Sequence, residues 1–169
     1  MKNTLIVTAL KNEFPFENEF NILFTGAGKL NASISLLSYL EINSNIKTII
    51  NVGTAGGVDV NKNIVIECGT FLQGDLDYPS YELETIITDN TKYILSTFDC
   101  FQTSIPKRRC NCIDMEGFAF AKICQLKKIK FLCYKYISDI VGEQNQEDNW
   151  LDNYHNGRRL LKEKVINLL

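Results

Sequence analysis

Thr48-Ile49-Ile50-Asn51-Val52 leads directly into Gly53-Thr54-Ala55-Gly56-Gly57-Val58, so an apolar run ends in three glycines and a threonine. Continuous apolarity without alternation reads as a strand buried on both faces of a sheet. The glycines read as the loop that follows it, and loops of that composition at strand ends often cradle phosphate. Outward from this stretch, similar runs rich in Ile, Val and Phe recur at 4–8, 21–25, 64–71 and 131–137. Helical patterns lie between them. Residues 30–40 set Leu30, Ile34, Leu37 and Leu36 or Leu40 on one stripe, 115–126 do likewise, and 150–168 are amphipathic with a charged face. Alternating strands and helices predict an α/β layered fold, and the length suits one domain over residues 1–169. Residues 74–109 read least clearly. They hold Asp77-Tyr-Pro79, a polar stretch at 88–92 and the basic tract Lys107-Arg-Arg109.

Composition narrows the function classes. With 45% hydrophobic and 22% charged residues the chain has the make-up of an ordinary globular protein. A net charge of -2 gives no positive field for nucleic acid or an anionic membrane. Lys107-Arg-Arg109 reads as a solvated loop rather than a nucleic-acid contact. The apolar run at the N-terminus is too short for a signal peptide, and nowhere do 18 apolar residues follow one another, so a cytoplasmic protein is expected. The six cysteines at 68, 100, 110, 112, 124 and 133 then read as free thiols. Cys110-Asn-Cys112 lacks a second pair, and the single histidine, His155, lies in a polar segment, so no metal site is expected. The same scarcity of imidazole weighs against Ser-His-Asp or Cys-His chemistry.

In an open α/β sheet the ligand sits beyond the strand C-termini. Five stretches fall there or at a helix start: Ala9-Leu-Lys-Asn-Glu13, Thr25-Gly-Ala-Gly-Lys-Leu-Asn31, the opening glycines, Cys112-Ile-Asp-Met-Glu116 beginning a helix, and Tyr136-Ile-Ser-Asp139. Each has a purely local reading. Gly26 and Gly28 suit turns, Asp114 and Glu116 suit the positive end of a helix, and Ser138-Asp139 suits a cap.

Together, Thr25-Gly-Ala-Gly-Lys-Leu-Asn-Ala32, Asn51-Val-Gly-Thr-Ala-Gly-Gly57, Asp114-Met-Glu116 and Ile137-Ser-Asp139 resemble, in order and spacing, the nucleoside phosphorylase and nucleosidase superfamily. The branch most similar is that of the 5'-methylthioadenosine/S-adenosylhomocysteine nucleosidases. The resemblance implies a three-layer αβα sandwich around a central twisted mixed sheet, as in purine and uridine phosphorylases. It implies no cofactor, a purine nucleoside as ligand and a homodimer. Asp139 takes the place of the acid that meets the purine, Glu13 that of the base for water, and Glu116 that of the ribose clamp, with Met115 against the sugar. Asp114, Ser138 and Lys135 flank these positions. Phe101, with Gln102, falls where an aromatic stacks on the base, and Trp150 where a ring closes over the 5' side. Thr54, Ala55 and Gly56 become a backbone surface for the nucleoside.

The chain departs from the family pattern in two places. Lys135 stands where the nucleosidases carry an arginine, and a pair of strands usual between Glu13 and Asn21 is missing.

Phosphorylases of the superfamily grip phosphate with an arginine before the glycine stretch, and here that residue is Asn51. A dianion needs charged, forked donors. The expected reaction is therefore hydrolysis of the N-glycosidic bond of adenine nucleosides. Lys29 and Lys135 keep a purine nucleoside phosphorylase open, and a nucleoside-binding relative of weak activity is the further alternative.

Overall fold

The computed structural model describes residues 3–76, 83–88 and 93–169. The elements in order are β1 (Thr4–Thr8), β2 (Ile22–Phe24), α1 (Lys29–Ile42), β3 (Thr48–Gly57), β4 (Val65–Gln73), β5 (Thr85–Ile87), β6 (Tyr93–Thr97), β7 (Cys112–Asp114), α2 (Gly117–Lys127), β8 (Lys130–Ile140), α3 (Gln146–Asn153), a 3-10 turn (Tyr154–Gly157) and α4 (Arg158–Ile166). The strands form one mixed sheet in the order β2-β1-β3-β7-β6-β4-β5, and β8 pairs with both β3 and β4. Because β8 joins β3 to β4 while β7 and β6 join them the other way, that half of the sheet closes into a ring.

One core packs α1 and α2 on the sheet through Ala32, Leu36, Leu40, Phe118 and Phe120. A second, on the other face, joins Ile6, Ile50, Val52 and Tyr136 to Leu161 and Val165 of α4. Helices on both faces of a mixed sheet make the three-layer αβα architecture. Among the described residues no helix is long and apolar enough to cross a membrane.

Several expectations are corrected by the structure. The glycines after Val52 are not a loop: β3 continues through them to Gly57, pairing with β8 and, at Gly56 and Gly57, with β7. Crowding explains the composition, because a Cβ at Gly57 would come within 2.9 Å of the Ile137 and Ile140 side chains. Glycine is needed there so that three strands can meet. Cys112–Asp114 is a strand rather than a helix start, and α2 begins at Gly117. Ser138 and Asp139 lie within β8, so they cap nothing.

On α1 the buried row is Ala32, Leu36 and Leu40, whereas Leu30 (71% exposed), Ile34 (57%) and Leu37 (38%) face outward. The C-terminal pattern is two helices broken at Tyr154–Gly157. β5 and β6 emerge from the stretch that read least clearly. Asp77-Tyr-Pro79 and, of the polar stretch, residues 89–92 lie outside the described residues.

Candidate active site

Four buried carboxylates gather where β1, β3, β7 and β8 end. Glu13 closes the turn after β1, where its Oε2 accepts the Leu10 N–H at 3.3 Å. Its Oε1 accepts two bonds from Thr54, one from the backbone N–H at 2.9 Å and one from the hydroxyl at 2.5 Å. The Thr54 hydroxyl in turn accepts the Trp150 indole N–H at 3.1 Å. With its one proton directed at Glu13, that hydroxyl has no donor left for another group, and Glu13 is held as an acceptor.

Glu116 sits at the junction of β7 and α2, where Oε1 accepts the Gly28 N–H at 2.9 Å. Gly28 has φ +92, a conformation glycine adopts without penalty, and this aims its N–H across to the carboxylate. Burial, reinforced by the charge of Asp114, pushes the Glu116 carboxyl up to about 8. Asp114 is held by the Thr97 hydroxyl at 2.7 Å, the Gly117 N–H at 2.8 Å and the Lys135 ammonium at 2.8 Å. Its bond to Gly117 serves the start of α2, as the local reading of the sequence expected.

Asp139 is buried, and both its oxygens are engaged. Ser138 Oγ lies 2.6 Å from Oδ1, and Gln146 Nε2 donates to Oδ2 at 2.8 Å. Burial raises the Asp139 carboxyl above the usual carboxylate range, against the pull of these two hydrogen bonds. Gly56 lies beside it: a Cβ there would stand 3.1 Å from Oδ2.

Glu13, Asp114, Glu116 and Asp139 border a cavity of about 170 Å³ whose walls include Thr54, Ala55, Gly56, Phe101, Met115 and Trp150. Phe101 and Trp150 meet edge to face at 6.3 Å between centroids, and Tyr154 stacks behind Trp150 at 5.4 Å. A smaller recess adjoins on the Asp139 side and is bordered by Gln102 and Gln146. Thus the structure gathers most of the residues picked out in the sequence around one space.

Ser138 and Lys135 stand behind the wall rather than on it, Ser138 bonded to Asp139 and Lys135 to Asp114. Asn51 is also turned away. It is buried in β3, donating to the Val7 carbonyl at 3.1 Å and accepting from the Cys133 thiol, and it does not border the cavity.

Ala9, Leu10, Ala27 and Ile113 complete the wall and carried no signal in the sequence beyond being apolar neighbours of the motifs. Gln146 was missed altogether, because it lies in Gly142-Glu-Gln-Asn-Gln146, a polar stretch without pattern.

A carboxylate-rich cavity with aromatic walls at the strand ends of an αβα sandwich is a small-molecule site of the kind this architecture carries. Residues 60–169 match the family model described as Phosphorylase superfamily, and the chain belongs to that superfamily. A 5'-methylthioadenosine/S-adenosylhomocysteine nucleosidase of Thermotoga maritima is 27% identical over 160 residues, covering 78% of this chain and 70% of the relative.

Among solved structures, the 5'-methylthioadenosine/S-adenosylhomocysteine nucleosidase of Colwellia psychrerythraea 34H, in complex with adenine, is similar with a TM-score of 0.74 at 16% identity. That match covers 90% of this chain and 88% of the other. The futalosine hydrolase of Helicobacter pylori strain 26695 is similar with a TM-score of 0.80 at 15% identity over 97% of both chains. At these identities the two structures speak for the fold alone.

Proposed function

We propose that the chain hydrolyses the N-glycosidic bond of adenine nucleosides of the 5'-methylthioadenosine/S-adenosylhomocysteine type, with water as the nucleophile. The observation that carries this reading is the state of the cations. Lys29 is bound to Asp75 and, at 3.3 Å, to Asp99, and Lys135 is bound to Asp114. Neither lysine is left to hold a phosphate, and no arginine borders the cavity or its recess. An attacking dianion would instead meet the carboxyl oxygens of Glu13, which are held as acceptors by Thr54 and Leu10 and offer it no donor.

Each carboxylate has work in a hydrolysis. Asp139, whose hold on its proton burial strengthens, donates to the departing purine. Glu13, fixed by Thr54 and Leu10, accepts a proton from the attacking water. Glu116 takes the ribose hydroxyls through hydrogen bonds to its carboxyl group. The name of the Thermotoga relative agrees with this chemistry.

The reading includes a homodimer and a cytoplasmic setting, for which the outward apolar row of α1 and the free thiols are the supports. It gives no part to nucleic acid, membrane or cofactor.

The test is release of free adenine from 5'-methylthioadenosine in phosphate-free buffer, followed by chromatography. Asp139→Asn is expected to lower kcat by about a hundredfold or more, the usual scale of a lost general acid. Adenine release that requires added phosphate would make the chain a phosphorylase instead.

A further inference from the structure

Gln146 is a buried amide whose every polar atom is committed. Its Oε1 accepts the Gly142 N–H at 3.0 Å, and its Nε2 donates to the Gln102 carbonyl at 3.2 Å and to Asp139 Oδ2 at 2.8 Å. The orientation of the amide follows from its neighbours. A backbone N–H at Gly142 demands an acceptor and a carbonyl at Gln102 demands a donor, so the nitrogen must face Asp139. Asp139 Oδ2 therefore always meets a donor.

A neutral carboxyl has one hydroxyl and one carbonyl oxygen, and the carbonyl oxygen is the better acceptor. With Oδ2 held as the acceptor, the proton of Asp139 belongs on Oδ1; the Ser138 hydroxyl, which donates to Oδ1 of the ionised carboxyl, rotates its own proton away and leaves the Oδ1 proton for the ligand. The acid thus presents a fixed pattern, a donor on one oxygen and a free acceptor lone pair on the other. The five-membered-ring edge of a 6-aminopurine is its complement, with N7 an acceptor and the 6-amino group a donor. A 6-oxopurine offers two acceptors on that edge and leaves Oδ2 facing an oxygen.

We propose that Gln146 is the positioning residue of base recognition, fixing which oxygen of Asp139 carries the proton and thereby selecting 6-aminopurines over 6-oxopurines. The proposal rests on the reading of Asp139 as the residue that meets the purine. Gln146 also ties the segment bearing Phe101 and Gln102 to the acid, so the two sides of the base-binding region are set by one side chain.

Of the other ionisable groups around Asp139, Asp114 shares its recess and is bonded to Lys135, Glu13 and Glu116 line the adjoining cavity, and Glu143 and Lys62 pair with each other at 2.9 Å; the donor to Oδ2 is Gln146. Since the Gln146 bond favours the ionised carboxyl, its loss raises the pH at which Asp139 gives up its proton.

The experiment compares adenine with hypoxanthine by calorimetry on the full chain, wild type against Gln146→Met, which keeps the volume and loses the donor. The wild type is expected to prefer adenine, and the preference to narrow about tenfold in the variant, the scale of one lost hydrogen bond to an ionisable group. In parallel, the basic limb of the pH–rate profile for adenine nucleosides should move upward. A merely structural role would weaken both ligands equally and leave the limb in place, and that result would overturn the proposal.

Gln146→Glu replaces the donor by a second carboxyl and keeps the acceptor for Gly142. It should shift the preference toward hypoxanthine, and it carries the test if the methionine variant does not fold. Because the binding ratio needs no turnover, it decides the proposal even if the wild type releases no base, a result that would sink only the reading of the reaction.

Discussion

At the scale of single residues, the site is a problem of charge. Lys135 is the buried cation, set against Asp114 at 2.8 Å with Glu116 and Glu13 nearby. Replacing Lys135 with methionine leaves Asp114 charged and unpaired in the interior, which costs about 3–5 kcal/mol. Urea unfolding should show that loss, and adding Asp114→Asn to the variant should recover part of it.

Glu116 gives a test in pH. Its folded-state pKa of about 8 lies above that of the free side chain, so between roughly 4.5 and 8 the folded chain holds a proton that the unfolded chain has released. This group therefore adds stability at low pH and loses it as pH rises through that window. Glu116→Gln keeps an acceptor for Gly28 without the charge, so it should be more stable than the wild type above pH 8 and should flatten the decline. A melting curve taken at pH 5 and pH 8.5 on both proteins checks this, and an unchanged difference between them would remove the burial argument.

At the scale of elements, legibility depended on whether a local pattern or a distant neighbour decides the structure. β1 and the main part of β8 are runs buried on both faces, and β2 and β4 lie in apolar stretches that are half-buried or buried with Glu67 exposed, so their own composition marks them as strands. The glycine end of β3 is different, because it is a strand only where β7 and β8 come close enough to exclude a Cβ. No local signal records that. β5 and β7 have three residues each, too few for periodicity to show. Gln146 is invisible for the same reason, since its importance lies entirely in Asp139, Gly142 and Gln102 being around it. The carboxylates stood out because the motifs that carry them resemble, as a set, those of the superfamily, and not because any one of them announces a site by itself.

The break between α3 and α4 is another tertiary decision. Gly157 lies on the Tyr136 ring, where an added Cβ would fall 2.3 Å from Cγ. An alanine at 157 would favour continuing the helix locally and yet collide with β8, so the chain must shift or lose packing. Gly157→Ala should cost about 1–3 kcal/mol by overpacking, measured as a lower urea midpoint. Unchanged stability would mean that the turn rather than the ring contact fixes the break.

At the scale of the whole molecule, one face of α1 is left uncovered by the described residues. Leu30, Ile34 and Leu37 form an outward apolar row, and the row starts two residues after Gly28, which bonds Glu116 in the site. On the cavity wall itself, Leu10 (39% exposed) and Phe101 (40%) also reach solvent. Apolar side chains in a row, rather than scattered singly, are what a contact between subunits buries. A second copy seated there would exclude water from the cavity mouth, which matters for a reaction in which one water must attack and others must stay out. A dimer closed by two-fold symmetry buries the same row on both copies, so one substitution removes two contacts at once. Ile34→Glu should therefore move the protein from dimer to monomer in sedimentation, and it should weaken substrate affinity more than it lowers the melting point. If the wild type sediments as a monomer, or if the variant remains a dimer with unchanged KM, α1 is an ordinary solvent-facing helix and the cavity is complete in one chain.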